Sequence, residues 1–470
     1  MRLLPAFAAA LLAGCISTAG IAPTTAPDAL RADETDPHFT AWPTDDWWKA
    51  YGEPDLDALV DSALADHPSI QLARARLAQA RAGGEYLRAS FAPRITAGYD
   101  GTWQRYSEHG LIPPEFGGSE ELESRLGLDA SLELDLFGRN RALVAALDAQ
   151  AASGEASVAS ARLALATTIC ETWFDLAHAL ALREVASEQR RQRGQIRRLV
   201  EARVAQGLDS QVELQQAEGA IHQSTGEIAA LDEQIELHRQ RLSRLAQIPH
   251  ARVATLAPTL HALPAQAVPA QVPSDLLARR PDVAAARLHV ESTLAGVDSV
   301  KAEFYPSVNL GAFVGLSSLG LSNLFDAGSR IYGLSPALRL PIFDAGRLRA
   351  KLKLASGEVD AAVADYNATL QNALRDVVDA LIGLRALDQR MAAQRAAQAA
   401  AESAESLALQ RYRVGLTNYL TVLTTETEVL AQHRQAADLR ARAMALNVGL
   451  NFALGGGFDA ATPPYRGSVR

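Results

Sequence analysis

The chain has 470 residues, 48% hydrophobic and 21% charged, with a formal net charge of −9. That composition can bury a core and excludes wholesale disorder, whose mark is few apolar residues with high net charge. The acidic balance argues against a nucleic-acid partner gripped by a basic footprint. Two cysteines without metal-ligand spacing, Cys15 and Cys170, exclude a disulfide scaffold and a Cys-ligated zinc site.

Met1-Arg2 opens the chain, Leu3 to Leu12 is apolar apart from Pro5, and Leu12-Ala13-Gly14-Cys15 follows. This is the layout of a secretory signal over residues 1–14, to be left out of the fold. The tetrapeptide resembles the bacterial lipobox, which implies a covalent lipid on Cys15. With Ile16 in place of aspartate, it also implies the outer membrane. A plain signal peptide that contains a cysteine is the alternative. Residues 15–46 read as anchor and extended tether, with a Thr/Pro/Ala stretch from Thr18 to Pro27. No apolar window of 18 residues follows, so no transmembrane helix is expected. Cys170 reads as a small core residue on a helix.

The remainder is written twice. His67-Pro68-Ser69-Ile70 matches Arg280-Pro281-Asp282-Val283, and Ala89-Ser90-Phe91-Ala92-Pro93 matches Ala302-Glu303-Phe304-Tyr305-Pro306, both at an offset of 213. Leu132 to Phe137 matches Leu338 to Phe343 at an offset of 206, and Arg203 to Leu208 matches Arg411 to Leu416 at 208. The two repeats span 47–248 and 274–457, joined by a proline-rich linker at 249–273 and followed by a tail at 458–470.

Each repeat reads as helix, strand, strand, long helix, helix. The first repeat has strands near 94–105 and 125–135, with helices near 139–205 and 209–247. The second has strands near 307–317 and 330–341, with helices near 346–413 and 417–454. The strands alternate with a period of two. Their apolar positions are Tyr99, Trp103, Leu126, Leu128, Leu132, Leu134, Val308, Leu310, Val314, Leu316, Leu334 and Leu338. Runs of about 10 residues fit membrane-spanning strands, with these side chains toward lipid. A half-buried sheet in a soluble sandwich shows the same alternation. The opposite face carries Asp100, Asp129, Glu133 and Asp135 against Arg105 and Arg339, which suggests a mild cation preference. Pro336 interrupts the fourth strand without a sequence-level reason.

No proline occurs between Phe137 and Pro249, or between Phe343 and Pro463. A helix from 139 to about 204 would be roughly 100 Å long. The returning helix is too short to pair with all of it, and a helix at about 56–90 could supply the missing length. A plain coiled-coil rod explains the helices alone. Four strands cannot close a barrel, and an open sheet edge cannot sit in lipid. The sequence therefore requires an oligomer: two copies would give 8 strands and three would give 12.

At this point the chain resembles the TolC-type outer-membrane factors of tripartite efflux systems, in the lipidated NodT and OprM-like group. The matching motifs are Trp47-Trp48 with Tyr51-Gly52, Leu134-Asp135-Leu136-Phe137-Gly138-Arg139, Pro341-Ile342-Phe343-Asp344-Ala345-Gly346-Arg347, Arg411 to Leu416, and Ala453 to Phe458. The resemblance implies a mainly α fold with a membrane β-barrel, built as a homotrimer with a 12-stranded barrel and a 12-helix periplasmic tube. It implies a passive duct without an active site or cofactor, in the outer membrane of a Gram-negative bacterium. Its partners would be a periplasmic adaptor and an inner-membrane pump of the RND type. It assigns Gly207-Leu208 and Gly415-Leu416 to adaptor-docking tips, and Tyr412, Tyr419, Thr421, Thr424, Asp209 and Glu213 to the periplasmic aperture. Thr421 and Thr424 stand where the family often has aspartates, so a tip closed by helix packing and neutral hydrogen bonds is expected, with little pH or divalent-cation dependence. Small organic molecules lead as cargo. Metal-ion efflux, type I protein secretion and, outside the channel class, a lipoprotein adaptor are the alternatives.

Overall fold

A computed structural model describes residues 17–28, 35–36, 42–110, 113–260, 272–273 and 279–459. Cys15, the signal segment, much of the proline-rich linker and most of the tail lie outside the described residues. The α-helices longer than one turn are α1 (Pro54–Asp66), α2 (Pro68–Phe91), α3 (Arg139–Ala205), α4 (Gln211–Ala246), α5 (Pro281–Ala302), α6 (Arg347–Arg413) and α7 (Tyr419–Ala453). The strands of the main sheet are β1 (Arg94–Arg105), β2 (Glu120–Leu134), β3 (Ser307–Leu319) and β4 (Arg330–Arg339). Thr35–Asp36 and Val272–Pro273 form a separate, two-residue parallel pair.

Two compact units result, and each draws on both halves of the sequence. The first takes Arg76–Gly154, Ala286–Asn367 and the described residues within Met1–Pro27; the second takes Asp28–Ala75, Glu155–Ala285 and the described residues within Ala368–Arg470. The first unit contains the sheet. The second contains the turns between α3 and α4 and between α6 and α7.

α3 and α6 are each 67 residues long, with no proline to end them early. The helix expected over about 56–90 is two helices. His67 takes an extended conformation (ψ 137°), because proline at 68 disfavours α geometry in the residue before it. In the second unit α3 packs Ile169, Cys170 and Trp173 against Leu56, Leu59 and Val60 of α1 and Ile235, Leu242 and Ala246 of α4. Farther along, Ala186 meets Ile228 and Leu231. The second half repeats the plan, with Leu387 against Leu439, Ala443 and Leu446. In the first unit α2 covers the opening turns of α3: Arg88 pairs with Asp148, and a Cβ on Gly154 would lie 3.3 Å from Leu77.

The sheet is antiparallel in the order β1-β2-β3-β4, leaving β1 and β4 as free edges. Register places whole rows on one face: Tyr99–Leu126–Leu316, Ala97–Leu128–Val314–Tyr332 and Ile95–Ala130–Ala312–Leu334. The other face carries Thr96–Asp129–Phe313–Gly333 and Gly98–Gly127–Gly315–Ile331. Pro336 sits opposite Leu310 on the edge strand β4. Within the protomer β4 pairs on one side only, so a proline there need not remove a ladder hydrogen bond of the chain's own sheet.

Gly315 is required by close approach. A Cβ there would stand 2.3 Å from the Leu126 carbonyl oxygen, in a strand pair whose backbone cannot yield locally. Gly315→Ala is expected to part β2 from β3 and to destabilise the protein by about 1–3 kcal/mol, measured as a lower thermal midpoint in detergent. An unchanged midpoint would mean the strands tolerate the wider spacing.

Candidate functional site

The sheet has one bare apolar face. All twelve strand positions read from the alternation share it, from Tyr99 and Trp103 on β1 to Leu334 and Leu338 on β4. Trp103 is 67% exposed and Leu334 75%, far above what an isolated soluble sheet leaves uncovered over so many neighbours. On the polar face Asp129 pairs with Arg125 at 3.0 Å, and the Arg125 guanidinium lies 5.4 Å from the Phe313 ring centroid. Glu133 pairs with Arg139 at 3.0 Å.

Two of the charges expected on that face lie elsewhere. Arg105 has the parity of Tyr99 and Trp103, and it turns into the hairpin to donate to Gly118 O at 3.2 Å and to Glu108 at 3.3 Å. Asp135 lies past the end of β2. Its carboxylate accepts from the Asn140 and Arg141 amides at 3.2 and 2.9 Å, capping the start of α3. Asp344 does the same for α6, accepting from Gly346 and Leu348 at 3.0 and 2.8 Å. The repeated motifs thus turn each strand into a long helix.

Both tips are built alike. Gly207 and Gly415 are left-handed, with φ of 72° and 81°. Leu208 N–H donates to Arg203 O at 2.9 Å and Gly207 N–H to Val204 O at 2.9 Å. Leu416 and Gly415 make the same bonds to Arg411 O and Tyr412 O, at 2.8 and 3.0 Å. This is the Schellman closure that a glycine permits. Ser210 and Glu213 then form a capping box at the start of α4, and Asn418 caps α7 by accepting from Thr421 N–H at 3.1 Å. The closures leave Leu208 and Leu416 59% and 69% exposed, with Val212, Val414 and Leu420 exposed beside them.

The aperture candidates fall into two groups. Thr421 and Thr424 are exposed, and their hydroxyls turn back to Asn418 and to Leu420 O on their own helix. Tyr412 and Tyr419 are buried in an apolar cluster with Ile196, Val200, Ala217 and Val422, which joins the two tips. Asp209 is held there by a fork: Arg203 Nε at 2.8 Å and Nη2 at 3.2 Å, with the Tyr412 hydroxyl donating to the same carboxylate. Arg203 also donates to Tyr412 O at 3.1 Å and lies over its ring at 4.5 Å. Beside the helix packing and neutral hydrogen bonds expected there, the tip thus holds a charged Arg203–Asp209 pair of the first half, which Tyr412 ties to the second. The guanidinium, and then the Tyr412 hydroxyl, hold the Asp209 carboxyl below its usual range despite its partial burial. Burial, and then Asp209, push the Tyr412 hydroxyl up.

Further contacts cross between the halves of the second unit. Arg193 of α3 donates to Glu426 of α7 at 2.8 Å and to Ala220 O and Ser224 Oγ of α4 at 2.8 and 3.0 Å. The pair is buried, with side chains 8% and 2% exposed. Burial outweighs the pull of Arg193 and raises the Glu426 carboxyl above its usual range. Arg434 pairs with Glu227, and His178 meets Asp438 at 2.8 Å. Sequence reasoning missed Arg203 and Arg193. Arg203 had a signal, since it repeats as Arg411 four residues before the tip glycine; Arg193 had none.

A sheet with one bare apolar face, whose strands run on into long helices, is the architecture expected of a chain that builds an outer-membrane channel. Residues 59–246 and 272–456 match the family described as Outer membrane efflux protein, and the chain belongs to it. The chain is 30% identical to the multidrug resistance outer membrane protein MdtP of Escherichia coli, over 93% of this chain and 91% of that one. It is 31% identical to the pyoverdine export outer membrane protein OpmQ of Pseudomonas putida, over 95% and 94%. The crystal structure of VceC from Vibrio cholerae superposes with a TM-score of 0.83 at 32% identity, covering 89% of this chain and all of that one. The fold is TolC-like, the protein is an outer-membrane efflux channel, and the adaptor alternative is set aside.

Proposed function

We propose that three copies close into one passive duct that exports small organic molecules and performs no chemistry on them. The two free edges of the four-stranded sheet carry this reading, because the bare apolar face can enter lipid only once those edges are paired. Three copies supply 12 strands, enough to enclose a water-filled lumen lined by the polar face. Export of small organic cargo is supported by what the two relatives are named for, multidrug resistance for MdtP and pyoverdine export for OpmQ. The exposed leucines and valines of the tips suit an adaptor's helical hairpins, through which an inner-membrane RND-type pump would be joined. A lipid on Cys15 agrees with a tether pinned two residues later: Arg349 donates to Ser17 O at 2.5 Å and to Ala19 O at 3.4 Å.

Electron microscopy of the detergent-extracted full-length protein tests the reading. A threefold particle of about three times 50.1 kDa, with a 12-stranded barrel, is the expected result. A monomer that stays in solution without detergent would overturn it.

A further inference from the structure

The two ends of the sheet differ in charge. The hairpin turns at one end, 106–119 and 320–329, contain Glu108, Glu115 and Asp326 and no Lys or Arg. At the end from which the helices leave, residues 340–353 contain Arg347, Arg349, Lys351 and Lys353 against Asp344 alone. In a chain of net charge −9 this basic run stands out.

Its setting is that of a membrane surface. Phe343 is 87% exposed, and Ile342 and Leu136 are exposed as well. The rings of Phe137 and Tyr305 stack at 5.1 Å and are both open to solvent. Exposed aromatic and aliphatic side chains next to cations are what the headgroup zone of a bilayer accommodates, with the ring in the apolar boundary and the charge among phosphates.

The cations are unevenly used. Lys351 pairs with Glu303, and Arg349 is taken up by the Ser17 and Ala19 carbonyls. Arg347 and Lys353 are exposed and form no ion pair among the described residues. Arg347 stands one and two turns from Lys351 and the exposed Leu354, so that face of α6 is itself amphipathic.

An independent observation comes from the tether. Residues 17–25 lie along α6, since Thr24 and Thr25 amides donate to Asp360 at 2.7 and 2.8 Å while Arg349 holds Ser17. The tether therefore begins, two residues after Cys15, at the basic start of α6.

We propose that the start of α6, with Arg347 and Lys353 as its free cations and Phe343 as its apolar anchor, is a pad for the headgroups of anionic phospholipids in the leaflet on the helix side of the sheet. The inference rests on the sheet spanning the membrane. Charge complementarity selects the lipid: zwitterionic headgroups offer no net charge to two unpaired cations, whereas phosphatidylglycerol and cardiolipin do.

Native mass spectrometry of the full-length, detergent-extracted protein tests this, after equilibration with phosphatidylglycerol, cardiolipin or phosphatidylcholine. The wild type is expected to retain the anionic lipids about fivefold or more over phosphatidylcholine. The double variant Arg347→Gln, Lys353→Gln should lose that preference while its oligomer mass is unchanged. Equal retention of anionic and zwitterionic lipid by the wild type would overturn the proposal, as would an unaltered preference in the double variant. Displacement of the lipids by inorganic phosphate would reassign the site to free anions and overturn the lipid assignment. Failure of the membrane reading itself would look different, as a protein that needs no detergent and retains no lipid of any class.

Discussion

Asp209→Ala is expected to make the closed channel leak. The Arg203–Asp209 pair is only 12% and 9% exposed, and the Tyr412 hydroxyl completes it from the other half of the chain. Removing the carboxylate strands a guanidinium that has been taken mostly out of water. For such a site the loss is about 3 kcal/mol, roughly a hundredfold shift toward the open tip if the contact exists only when the tip is closed. Conductance in planar bilayers and entry of a large hydrophilic antibiotic into cells would both rise. Tyr412→Phe removes one charge-assisted hydrogen bond and should do less, with a loss of about 1.5 kcal/mol. Arg203→Lys keeps the charge but loses the two-pronged geometry, so it should leak as well. Unchanged conductance in an intact oligomer of Asp209→Ala would sink the latch. The pH dependence follows from the direction of the shift. A carboxyl held below its ordinary value of 3.8 contributes closure that is complete above that value and is lost as pH falls through the lower one. Conductance should therefore be flat between about pH 5 and 8 and rise only in stronger acid. A flat profile over that range is thus expected although the pair is charged.

What the sequence made legible was whatever repeats or alternates. Leu132 to Phe137 and Leu338 to Phe343 announce the same strand-to-helix junction twice, and the period of two brings Leu126 and Leu316 to one face. Strict alternation even contained the correction for Arg105, which shares the odd parity of Tyr99 and Trp103. Asp135 could not be placed that way. It follows the last strand residue, and its role is set by the φ of 81° at Gly138, which folds the α3 amides back onto it. The tip was harder still. Arg203 and Asp209 are six residues apart, and only the Schellman turn brings them together. Tyr412 is 203 residues from Asp209 in the chain, and no local pattern encodes that approach. Local propensity writes helices and strands, while the latch arises from how two hairpins pack.

The deeper pair should behave differently when emptied than when replaced. Glu426→Ala leaves Arg193 buried without its carboxylate, and a loss of about 3–5 kcal/mol is expected, read as a lower midpoint in thermal unfolding of the solubilised protein. Exchanging both partners for apolar residues of similar volume, Arg193→Met with Glu426→Leu, should recover most of that loss, because neither desolvated charge then remains. Ser224 limits the recovery, since its hydroxyl loses one of its two contacts but keeps the Ala220 carbonyl. Acid should act here with the opposite sign from Asp209. The Glu426 carboxyl is raised by burial, so the folded state is favoured when it is neutral, and that contribution is lost as pH rises through the shifted value. On acidification from neutrality Glu426 takes its proton first, with a small gain in stability, and Asp209 follows only below 3.8, with a loss. Glu426→Gln should flatten the first limb of that curve and leave the second in place. A single Glu426→Ala variant as stable as the wild type would show that water reaches this seam, and that the Arg193–Glu426 pair does not hold it.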